Sequence, residues 1–67
     1  MRVEYIDDMK LRLHHERISY HMDVWTTPHA NGMWYWNLDR APIIGRDNNM
    51  VVAIEKAMTA LDKLATD

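Results

Sequence analysis

Ile18-Ser19-Tyr20-His21-Met22-Asp23-Val24-Trp25 sets Ile18, Tyr20, Met22 and Val24 in alternation with Ser19, His21, Asp23 and Trp25. That is the period of a strand with one buried face. After Thr26-Thr27-Pro28-His29-Ala30-Asn31-Gly32 comes a second such stretch, Met33-Trp34-Tyr35-Trp36-Asn37-Leu38. Pro28 cannot donate to a ladder and Asn31-Gly32 accepts positive φ, so the chain reverses there and the two stretches pair as an antiparallel hairpin. Directly opposed residues share a face. Trp34, Trp36 and Leu38 join Ile18, Tyr20, Met22 and Val24 only if opposed residue numbers have an even sum, as with Val24 opposite Trp34 and Met22 opposite Trp36. A one-residue slip would turn three large side chains to the wrong face. The other face then carries His21, Asp23, Trp25, Met33 and Tyr35.

Downstream of the hairpin, Met50, Val51, Ile54, Ala57, Met58, Leu61 and Leu64 follow helical spacing, with Glu55, Lys56, Thr59, Asp62 and Lys63 opposite. This is an amphipathic helix from Asn48 to about Ala65, with Asp47 or Asn48 able to cap it. Ala41-Pro42-Ile43-Ile44-Gly45 reads as a third, edge strand, released into the helix at Gly45. Upstream, Met9, Leu11 and Leu13 alternate with Lys10, Arg12 and His14 as in a strand, while Val3, Ile6, Met9 and Leu13 also fit a helical stripe. The strand is favoured, with a turn or bulge between His14 and Arg17 because Leu13 and Ile18 are out of phase. The expected fold is α+β, one domain over residues 1–67. A three- or four-stranded antiparallel meander carries a C-terminal amphipathic helix on one face, and its N-terminal segment is a strand or a short helix.

A chain of 67 residues buries only roughly 60% of the surface it exposes when unfolded. It holds no cysteine, which excludes disulfides and thiolate zinc sites. Packing and association remain as sources of stability. Six Met, three Trp and three Tyr exceed what one small core hides, which points to a homodimer or a protein partner. A formal charge of −2 gives no general attraction to nucleic acid or anionic lipid. The start of the chain has no apolar leader and no run has membrane-span length, so a cytoplasmic location is expected.

No motif points to catalysis. Ser19, His21 and Asp23 share a strand face, but residues two apart lie roughly 6.5–7 Å from one another along the strand, and no oxyanion motif accompanies them. Asp7-Asp8 suits a solvated turn better than acid–base work. His14, His15, Glu16, His21 and His29 lack the spacing of a metal motif, so neither a metal nor another cofactor is expected. Trp34 and Trp36 belong under the helix. Trp25, Met33 and Tyr35 have nothing of their own chain to bury against, and such side chains are enriched at interfaces.

With a helical N-terminus the order would be α-β-β-β-α, and two stretches then resemble the double-stranded-RNA-binding domain. Pro28-His29-Ala30 lies where that family carries a proline-histidine turn that enters the minor groove. Ala53 to Leu64 is similar to its alanine-rich last helix. The family's lysine cluster is missing, since Arg46-Asp47-Asn48-Asn49-Met50-Val51 offers one cation. The resemblance implies duplex-RNA contacts through His29, Arg46 and the basic stretch Lys10, Arg12 and Arg17.

The leading expectation is a non-enzymatic protein-interaction module. It would bind a partner or itself through a sheet face of Trp25, Met33, Tyr35, His21 and Asp23, in the style of small phage or mobile-element accessory proteins and inhibitors. Duplex-RNA binding is the alternative.

Overall fold

A computed structural model describes residues 1–66. Five strands, β1 (Arg2–Asp7), β2 (Lys10–His14), β3 (His21–Trp25), β4 (Trp34–Leu38) and β5 (Gly45–Asp47), precede one helix, α1 (Met50–Thr66). The strands pair in sequence order as an antiparallel meander, and α1 packs over β3, β4 and β5. Among the described residues no helix is long and apolar enough to cross a membrane.

The N-terminal segment is a hairpin, so the helix needed for an α-β-β-β-α order is replaced by β1 and β2. Its turn is Asp8-Met9, where Asp7 Oδ1 accepts the Met9 N–H at 2.7 Å, a local closure that aspartate side chains favour. An irregularity between Tyr5 and Asp7 sets Asp7 opposite Lys10 while Tyr5 lies opposite Leu11. This extra residue moves Asp7 to the other face of the sheet.

The hairpin of β3 and β4 has the expected parity at a different offset. Met22 faces Leu38 and Val24 faces Trp36, two residues from the pairing of Val24 with Trp34. A shift of two leaves every side chain on its face, so alternation alone cannot distinguish the two. Asn31 and Gly32 take φ of 53° and 81°, as the reversal requires. Ile18 and Tyr20 fall before β3, in the connection that turns at Glu16-Arg17.

The last strand also differs. Ala41, Pro42, Ile43 and Ile44 form an irregular connection, and pairing runs from Gly45 to Asp47. Pro42 has no N–H for a ladder. Gly45 lies directly opposite Trp36, and a Cβ there would stand 2.6 Å from Trp36 Cε2. The glycine makes room for the indole.

One core lies between sheet and helix. Leu11, Leu13, Met22, Val24 and Trp36 meet Ala53, Ala57 and Leu61, with Trp34, Leu38, Ile54 and Met58 packed around them. The buried helix positions recur every four residues. Two are alanines, which let the helix lie close to the sheet. Met50, Val51 and Leu64, members of the expected stripe, are exposed. The cap is Asn49 rather than Asp47 or Asn48: its Oδ1 accepts the Val52 N–H at 3.1 Å, while Asp47 Oδ1 accepts the Asn49 N–H. His15, 8% exposed, ties the connection between β2 and β3 to α1. Its Nδ1 accepts the Arg17 N–H, so the ring proton sits on Nε2 and is donated to Asp62 at 3.1 Å.

Candidate interaction surface

Since α1 packs on one face of the sheet, over β3, β4 and β5, the opposite face is built from side chains that the pleat turns away from the core. The register arranges them in three rows. Asp7, Lys10, Trp25, Tyr35 and Arg46 form one. Glu4, Arg12, Asp23 and Asn37 form the middle row. Arg2, His14 and His21 form the third, which the Asp39 N–H extends by donating to the His21 carbonyl at 3.1 Å.

Trp25 and Tyr35 are opposed, half-buried and stacked, with ring centroids 5.0 Å apart at an interplanar angle of 34°. The Trp25 Nε1–H donates to Asn37 Oδ1 at 2.6 Å, and Asn37 Nδ2–H₂ donates to the Leu38 and Ala41 carbonyls. Beside the indole is a shallow concavity of ≈ 360 Å³ lined by Asp7, Met9, Lys10, Asp23, Trp25, Thr26 and Asn37.

The middle row is an ion-pair network. Asp23, 6% exposed, receives Arg12 Nε–H on Oδ1 at 3.2 Å and has Lys10 Nζ 3.8 Å from Oδ2. Charged partners at this distance offset the cost of taking the Asp23 side chain out of water. Glu4 lies 2.8 Å from His14 Nε2. That hydrogen bond holds the Glu4 carboxyl below its ordinary range, partly opposed by desolvation. Four cations, Arg2, Lys10, Arg12 and Arg46, stand against four carboxylates, Glu4, Asp7, Asp23 and Asp39, so the face is neutral in sum.

The expected site residues divide clearly. Trp25, Tyr35, His21 and Asp23 share the face, together with Lys10, Arg12 and Arg46 from the nucleic-acid set. Met33 precedes β4, its N–H bonded to the Ala30 carbonyl and its carbonyl to Thr26 Oγ1. Arg17 and His29 are exposed in the connections before and after β3. Of the nucleophilic letters, Ser19 lies in a bend before β3, whereas His21 Nε2 and Asp23 Oδ1 approach to 3.4 Å and Asp39 Oδ1 lies 3.7 Å from the same nitrogen. Asn37 and Asp39 were not singled out in the sequence. Asn37 sits two positions from Tyr35 on the same face, and once the register is known this marks it as a neighbour of Trp25. Apolar side chains are also exposed elsewhere: Tyr5 at 77%, and Ile43, Ile44, Met50 and Val51 near β5 and the start of α1.

Compared with family models, curated proteins and solved structures, the chain matches none of them significantly.

Proposed function

We propose that the chain is a non-enzymatic interaction module that binds a protein through the uncovered sheet face, centred on Trp25 and Tyr35. The observation that carries this reading is the stacked aromatic pair set in a charge-balanced surround. Aromatic rings with few rotors supply contact area at low entropic cost, and alternating charges around them suit a protein surface of mixed sign. A polyanion calls for the opposite arrangement, because phosphate binding draws on a surplus of cations and the release of counterions. Here Arg12 and Lys10 are already turned toward Asp23. Protein is therefore favoured over duplex RNA, and a second copy of the chain is one protein that the face would admit.

The test compares wild type with Trp25→Ala/Tyr35→Ala, both checked for folding by circular dichroism. Sedimentation gives the oligomeric mass, and affinity capture from the native host gives the partner profile. The double variant should lose the self-association or the partner that the wild type shows. An unchanged mass together with an unchanged partner profile overturns the reading. Salt-sensitive retention on an RNA duplex, lost in Arg46→Ala, would replace it with the nucleic-acid alternative.

A further inference from the structure

We propose that His21, Asp23 and Asp39 form a zinc site on the open sheet face, at the end of β3 opposite Trp25. Regular structure brings the three donors together. His21 and Asp23 are two apart on β3 and so share a face. Asp39 is held beside His21 by the bond from its N–H to the His21 carbonyl, 3.1 Å long. One ligand atom from each residue lies within 4.8 Å of the others, with His21 Nε2 3.4 Å from Asp23 Oδ1 and 3.7 Å from Asp39 Oδ1. Tetrahedral zinc with bonds of about 2.0–2.1 Å sets its donors roughly 3.4 Å apart. The two nitrogen–oxygen separations therefore need to close by at most a few tenths of an ångström, and the two carboxylates, within 4.8 Å of one another, close the rest of the way by side-chain rotation of the exposed Asp39.

A second observation points to a ligand. His21 Nε2 is buried and has no hydrogen-bond partner, although two carboxylate oxygens face it. Buried ring nitrogens are rarely left in this state, and a cation between nitrogen and oxygens would satisfy all three donors at once.

The surroundings fit a secondary role. Arg12 Nε–H on Asp23 Oδ1 orients the ligand carboxylate, as outer partners of metal ligands commonly do, and a carboxylate oxygen retains a second lone pair for the metal. Lys10 and Arg12 also place positive charge near the ion, so affinity should fall short of that of an unopposed triad. The His14 ring is 5.8 Å from that of His21, centroid to centroid, but its Nε2 is engaged by Glu4 and it is not a ligand. One imidazole with two carboxylates suits zinc better than calcium, which prefers oxygen alone. The remaining coordination position would hold water or a donor atom from a bound protein.

The experiment titrates the chelator-treated full chain with Zn²⁺ by calorimetry and with Co²⁺ by visible absorption. One ion per chain is expected, with a Co²⁺ spectrum of tetrahedral type. Asp39→Asn alters an exposed side chain, so it should fold normally and lower the Zn²⁺ affinity by roughly tenfold or more. His21→Gln should do the same, and His14→Gln and His29→Gln should leave the affinity unchanged. The proposal is overturned if Zn²⁺ does not bind, if Asp39→Asn binds it as wild type does, or if His14→Gln abolishes binding.

Discussion

Asn37 holds the Trp25 indole by its Nε1–H at 2.6 Å, from a position one register step along the same face of the sheet. Its amide group reaches the other way to the Ala41 carbonyl at 3.2 Å, linking the aromatic surface to the connection between β4 and β5. The Trp25 indole is thus anchored within the free chain, an arrangement that lowers the entropic cost of any contact made through it.

Asn37→Ala removes both links and leaves a partly buried indole N–H without a partner. Stability should fall by about 1–2 kcal/mol, measured by urea denaturation. The near-ultraviolet circular dichroism should weaken while the far-ultraviolet spectrum is kept. An unaltered near-ultraviolet spectrum would show that Trp25 is held by stacking alone.

Gly45→Ala forces a methyl group against the benzo ring of Trp36, whose side chain is 6% exposed and closed in by α1. Overpacking of this kind costs on the order of 3 kcal/mol. Trp36→Phe removes the ring atoms that the methyl would strike. In the Gly45→Ala background it should therefore cost much less than it does alone, a coupling that a double-mutant cycle reads directly.

Glu4 and Asp47 have carboxyl groups held below their ordinary values of 4.5 and 3.8, Glu4 chiefly by the His14 hydrogen bond and Asp47 chiefly by that from Lys56. A lowered folded-state value means that the stabilisation is complete above the unfolded value and is lost as pH falls through the folded one. Stability should decline as the solution is acidified below about pH 4.5. Glu4→Gln with Asp47→Asn should flatten that decline, as followed by urea midpoints across the acid range. An equally steep decline in the double variant would assign acid sensitivity to other carboxylates.

The parts of this fold that were legible are those that a periodicity encodes. Helical spacing from Met50 onward marked α1, and alternation set Trp36 and Val24 on one face of the sheet and Trp25 and Tyr35 on the other. Offsets were not legible, because parity is blind to a shift of two. The position of β5 depended on how Gly45 meets Trp36, a contact between residues nine apart that no local pattern records. The hairpin of β1 and β2 was blurred because its turn, Asp8-Met9, has neither glycine nor asparagine. Of the surface, the aromatic pair could be read from the strand pattern. Asn37 and Asp39 could not, since their roles follow from the neighbours that the register gives them.

The helix covers β3, β4 and β5, whereas β1 bonds only to β2 and carries Tyr5 largely in solvent. One sheet therefore holds two levels of protection. Amide hydrogens of β1 should exchange through a partial opening that leaves the rest folded, while those of β3 and β4 should wait for global unfolding. Hydrogen-exchange mass spectrometry would separate the two populations. Whenever β1 detaches, β2 becomes the sheet's edge, with its backbone donors and acceptors free to pair with another extended segment.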